Sequence, residues 1–178
     1  MKRWLMTWMM LATIPAGAIA QEAHSPYAHA GSEEIKTLSQ QEVDDLRNGA
    51  GMGLARPAEL NQYPGPRHVL ELADSLALST DQRRAVEEAF ADMRSRAKTL
   101  GRQILDAEKA LDAAFAAGGM TAASFAPAVA RIAELQGELR MVHLRSHLAT
   151  REALTRDQIH EYDRLRGYGS GHDHDSGS

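Results

Sequence analysis

His143-Leu144-Arg145-Ser146-His147 is the sharpest chemical signal in the chain. On a helix, positions i and i+4 stand one turn apart on one face. Two imidazoles so placed can offer nitrogens to a single Zn²⁺, Ni²⁺, Co²⁺ or Cu²⁺ ion. Two ligands hold a metal weakly. Further donors must come from His24 or His29 in the N-terminal segment, from His68, from carboxylates or from a partner subunit. The pair is not a zinc-protease motif, because Leu144 stands where that motif carries its general-base glutamate. The plainer alternative is a pair of amphipathic, partly exposed histidines flanking a helical seam. A second signal is Gly171-His172-Asp173-His174-Asp175, where nitrogen and oxygen donors alternate in a stretch without apolar residues. Such a tail can wrap a divalent ion weakly, since it must be ordered to bind, or it can serve solubility alone. Gly49-Ala50-Gly51-Met52-Gly53 lacks the Lys-Ser/Thr pair and the strand of a phosphate loop. It reads as a linker, with Met52 a minor candidate for a soft thioether ligand.

The composition limits what these residues can be. The 178 residues contain no cysteine, eight histidines and eight methionines, so any metal ligand is imidazole, carboxylate or thioether. There is no thiol nucleophile, no Gly-x-Ser-x-Gly elbow, no dinucleotide fingerprint and no Walker loop. Carboxylates are plentiful, but none stands in an apolar stretch that would raise its pKa. A non-catalytic protein is expected. The formal charge of −4 argues against a nucleic-acid binder, which needs a basic footprint. The many arginines are interleaved with Asp and Glu and read as a solvated, ion-paired surface.

The first twenty residues read as an export signal. Lys2 and Arg3 precede an apolar run from Trp4 to Ile14, and Ala18-Ile19-Ala20 offers a small-x-small cleavage site. The run is short for a membrane span, which needs about 20 apolar residues. Cleavage takes the formal charge from −4 to −6, because the segment holds two basic residues and no acidic one. The expected location is the periplasm, with no membrane span in the mature form.

Few aromatics and few β-branched residues, with much Ala, Leu, Arg, Glu and Gln, favour an all-α chain. Residues 21–66 are expected to form an N-terminal arm holding one short helix, capped by Ser39 with Glu42, and a Gly/Pro-rich loop. A second short helix is expected from His68 to Leu76, with Pro66 in its first turn. Val86, Phe90, Met93, Ala97, Leu100, Ile104, Ala107 and Leu111 alternate at spacings of four and three, a heptad seam predicting a helix over about 80–117. Gly118-Gly119 reverses the chain. Ala128, Ile132, Leu135, Leu139, Val142, Ser146 and Ala149 form the matching seam of a return helix that starts near Thr121 or Ser124, Pro127 favouring Ser124 as the cap. Together they predict a long antiparallel hairpin with short flanking helices, spanning 67–166, and a disordered tail over 167–178. Met141, Leu144 and Leu148 give the return helix a second apolar face. That face needs a cover, and a homodimer supplies one.

Two Leu-Ser/Thr-x-x-Gln boxes punctuate this region, Leu78-Ser79-Thr80-Asp81-Gln82 and Leu154-Thr155-Arg156-Asp157-Gln158. Each is a capping box, with Ser79 or Thr155 as N-cap and the glutamine at N3. The pair, on a long hairpin behind an export signal, resembles the LTxxQ-motif periplasmic family over about residues 68–166. That family includes Spy/CpxP-like chaperones, zinc-resistance-associated proteins and nickel/cobalt-type periplasmic metal sensors. Ser79 departs mildly from the family's threonine and keeps the cap chemistry. The resemblance implies an elongated, cradle-like helical homodimer acting in envelope stress. It would be either a metal-responsive sensor or buffer working with a membrane-bound sensor or anti-sigma protein, or an ATP-independent chaperone for unfolded periplasmic clients.

Overall fold

A computed structural model describes residues 35–168. The export segment, His24, His29, His172 and His174 lie outside them. The described residues are all-helical and contain no strand. The helices are α1 (Gln40–Asn48), α2 (Arg56–Glu59), α3 (Pro66–Glu71), α4 (Thr80–Ala116), α5 (Ala122–Ala153) and α6 (Arg156–Arg166). None is long and apolar enough to cross a membrane.

The heptad seam builds the hairpin. α4 runs 37 residues, on the order of 55 Å at 1.5 Å per residue. Its Val86, Met93, Ala97, Leu100 and Ile104 are buried, and α5 answers with Ile132, Leu135, Leu139 and Val142. At the far end of the α5 seam Ala149 is exposed and Thr150 is buried in its place. A helix of 3.6 residues per turn drifts away from a strict seven-residue repeat. Thr150 tolerates burial because its hydroxyl donates to the Ser146 carbonyl at 2.7 Å.

The start of α5 corrects the expected cap. Thr121, not Ser124, is the N-cap, and Ser124 is its N3 partner. Pro127 therefore lies inside the helix, beyond its first turn. Its missing N–H leaves only the Ala123 carbonyl without a helical donor, close to the exposed hairpin tip where water can replace it. The Gly-rich stretch also differs from the expected loop. The short helix α2 starts there at Arg56, with Pro57 in its first turn.

α1 crosses α4 at Gly101. A Cβ on Gly101 would stand 2.0 Å from the Leu46 carbonyl oxygen, so only glycine admits this approach. Val43 and Leu46 of α1 thereby join Ile104, Leu105, Leu135 and Leu139 in one apolar cluster along the hairpin. A second cluster closes the base, where Val69 and Leu76 meet Val86, Leu154, Ile159 and Tyr162.

The two motif boxes meet in this base. Both capping boxes are complete. Their glutamines also bind each other. Gln82 Nε2 donates to Gln158 Oε1 at 2.8 Å, and Gln158 Nε2 donates to Gln82 Oε1 at 3.1 Å. The spare amide hydrogens go to the Ala153 and Leu76 carbonyls. The glutamines thus cap two helices and lock them together, which satisfies polar groups that burial would otherwise leave costly.

Candidate functional site

His143 and His147 sit on α5 between the two apolar clusters. The i, i+4 spacing does bring both to one cavity of about 390 Å³, whose walls also carry His68, Glu59, Phe90 and Met93. An adjoining hollow of about 490 Å³ shares His68, His143, His147 and Glu59 and extends to Met52 and Tyr168.

His143 is only 4% exposed, so it is not the partly exposed flank of the plainer alternative. Its Nε2 is buried and has no hydrogen-bond partner. Burial, and then the neighbouring His147, hold its pKa below the ordinary histidine value. The ring is therefore a neutral imidazole with an unspent buried nitrogen. A buried polar atom left unpartnered costs about 1–3 kcal/mol.

His147 is oriented by a loop. Its Nδ1 lies 2.7 Å from the Tyr63 carbonyl. A carbonyl only accepts, so Nδ1 is the donor in this contact and Nε2 is the ring nitrogen left for another partner. Arg151, one turn further along α5, fixes that loop. Its Nε donates to the Gln62 carbonyl at 3.0 Å, and its guanidinium stacks 4.5 Å over the Tyr63 ring. Gly65 lets the loop close in, since a Cβ there would come within 3.0 Å of His147 Cε1 and 3.1 Å of Glu59 Oε2.

Glu59, at the end of α2, ties the surroundings together. Gly65 N–H donates to its Oε2 at 3.0 Å, and His147 Nδ1 stands 3.6 Å from the same oxygen. Oε1 accepts from the Tyr162 hydroxyl and, at 3.2 Å, from the Tyr168 hydroxyl. His68 Nδ1 lies 3.5 Å and Arg166 Nε 3.9 Å from it. Burial and the hydrogen bond to Glu59 push the Tyr162 phenol far up, so it remains a donor at any accessible pH.

Three imidazoles and a carboxylate thus border both hollows, with the thioether of Met93 on the first and that of Met52 on the second. Among the described residues no three His, Asp or Glu side chains stand ready to hold a metal ion as they are. A metal would draw the rings together or take donors from outside the described residues. Met141 points elsewhere and is exposed, as its phase on the helix requires.

Glu59, Tyr162, Tyr168 and the placement of His68 were not legible beforehand. One clue existed. The chain has four tyrosines, and three of them, Tyr63, Tyr162 and Tyr168, converge here. One expectation about carboxylates is corrected. Asp163 is desolvated enough to raise its pKa, and its Oδ1 is buried without a partner.

Searches against protein-family models, curated proteins and solved structures gave no match.

Proposed function

We propose that this chain is an exported, non-catalytic protein of the LTxxQ type that responds to a divalent transition metal, taken at His143 and His147 with His68 as a third imidazole. The observation that carries the reading is the unpartnered, buried Nε2 of His143, which borders the same cavity as the free Nε2 of His147 and as His68. A neutral imidazole, a tautomer fixed by a backbone carbonyl and nearby thioethers suit Zn²⁺, Ni²⁺, Co²⁺ or Cu²⁺ better than Mg²⁺ or Ca²⁺. His24, His29, His172 and His174 are proposed as auxiliary donors. Calorimetric titration of these metals into wild type, His143→Ala/His147→Ala and His172→Ala/His174→Ala tests this. Loss of binding in the first variant supports the α5 site. Unchanged binding there overturns it.

A second reading rests on Phe115, Phe125, Val129, Met141 and Leu148, all exposed and four of them on α5. Phe115, Phe125 and Val129 cluster at the hairpin tip, and Met141 with Leu148 marks a different side of α5; the Met141 and Leu148 side could seat a second copy of the chain, as the expected homodimer requires, or hold unfolded clients as a chaperone does. Sedimentation separates the first use from a monomer. Failure to suppress aggregation of an unfolded client without metal, at one dimer per client, removes the second.

A further inference from the structure

Residues 113–130 form the longest uncharged run after the export segment. They comprise the last turn of α4, the Gly118–Gly119 reversal and the first turns of α5. None of them is buried, and all but Ala114, Met120 and Ala128 are exposed. Phe115 is 55%, Phe125 37% and Val129 46% exposed, although the two rings lean together with centroids 6.4 Å apart. A helix without charge on any side is ordinarily covered on every side.

The charges at the border of this tip neutralise each other. Lys36 Nζ pairs with Asp112 at 3.1 Å, and Arg131 pairs with Glu134. Beyond that border uncharged helix extends about 6 Å on α4 and about 13 Å on α5, at 1.5 Å per residue. Helices that lie in a bilayer surface bury their apolar side about 5–10 Å deep. The turn sets a limit to the depth. The Gly118–Gly119 backbone and the Ala123 carbonyl, which Pro127 leaves without a helical donor, need water. They suit the headgroup region and not the hydrocarbon core.

The chain also enters the fold at this end. Lys36 holds Asp112, and the Thr37 hydroxyl donates to Glu108 at 3.0 Å, so the residues before Ile35 join the hairpin beside its tip. Those residues include the apolar run from Trp4 to Ile14. A bilayer that holds this run tethers the fold by its tip end. We infer that the hairpin tip is a lipid-binding element that rests shallowly in a bilayer surface, with Phe115, Phe125 and Val129 as its apolar anchors. A second copy of the chain covers one side of such a tip, whereas a bilayer surface surrounds it.

The test reads insertion at one residue of the full chain. Trp4 and Trp8 are the only tryptophans, so Trp4→Phe/Trp8→Phe/Phe125→Trp carries a single fluorescent reporter at the tip. A matching chain with Leu60→Trp in place of Phe125→Trp reports from α2, where Leu60 is 57% exposed. Phosphatidylcholine vesicles brominated near the top of the acyl chains are added to each. Emission from position 125 should shift to the blue and be quenched, and emission from position 60 should do neither. Phe115→Asp/Val129→Asp should raise the lipid concentration for half-quenching about tenfold or more, since two anchors leave the buried area. Adding phosphatidylglycerol should change that concentration less than about threefold, because the tip has no charge for it to attract. Unquenched emission from position 125 overturns the inference. So does equal quenching at position 60, which is adsorption through another part of the chain, or a strict need for phosphatidylglycerol. Emission from position 125 that is already blue and shielded from iodide without lipid also overturns it, because a second copy or residues 1–34 then cover the tip.

Discussion

Replacing His143 by leucine separates a residue kept for packing from one kept for a ligand. The side chain is 4% exposed, and its Nε2 has no partner. Removing an unsatisfied buried polar atom while keeping similar volume recovers part of a penalty of about 1–3 kcal/mol. His143→Leu should therefore be more stable than wild type without metal, by about 1–2 kcal/mol after imperfect repacking. In a domain of this size that raises Tm by roughly 2–8 °C. Burial also lowers the His143 pKa. Below the ordinary value of about 6.5 the unfolded chain takes up a proton that the folded chain refuses. Stability then falls as pH drops from 6.5 toward the lowered folded value. The leucine variant lacks that slope. Metal reverses the order. At 100 times its dissociation constant a bound ion stabilises the wild type by about 2.7 kcal/mol, and the variant should gain little. Thermal unfolding with chelator and with metal, at pH 7 and pH 5.5, reads all of this. A variant less stable than wild type under chelator, with an equal metal-induced shift, would refute the assignment and make His143 a packing residue.

Other outcomes follow from the geometry. Gly101→Ala forces a Cβ to within 2.0 Å of the Leu46 carbonyl oxygen, whereas Gly137→Ala meets open space. Chemical denaturation should show the first destabilising by about 1–3 kcal/mol, since overpacking outweighs helix propensity, and the second stabilising by about 0.5–1 kcal/mol. Gln82→Ala and Gln158→Ala break the same reciprocal amide pair, so the double variant should cost less than the two singles together, with a coupling of about 0.5–3 kcal/mol in a double-mutant cycle. Desolvation raises the Asp163 pKa, so the folded state opposes its ionisation and loses stability as pH rises from about 3.8 through the raised value. Asp163→Asn should stabilise the protein at pH 7 and make no difference near pH 3, measured by denaturation at both.

What could be read beforehand had local causes. Ser39 with Glu42, Ser79 with Gln82 and Thr155 with Gln158 are capping boxes whose hydrogen bonds close within four residues, and all form. The seam from Val86 to Ile104 required only helical periodicity. The misses depended on distant partners. Gly101 carries no signal in the sequence, because nothing within α4 shows that the Leu46 carbonyl lies against it. Pro127 argued for a later helix start, but the Thr121–Ser124 box outweighed one lost hydrogen bond. The spacing of His143 and His147 was visible, yet the burial of one ring is decided by α4 and the 49–66 segment packing over it. Glu59 had no signal of its own. Its importance comes from Tyr162 of α6, Tyr168 and the Gly65 N–H all reaching its carboxylate.

X-ray absorption at the metal K-edge, on the chain loaded with one equivalent of zinc, tests the central claim most directly. The account predicts at least two imidazole nitrogens at about 2.0–2.1 Å, retained in His172→Ala/His174→Ala and lost in His143→Ala/His147→Ala. The same imidazole scattering in His143→Ala/His147→Ala, or an all-oxygen shell in wild type, would contradict it.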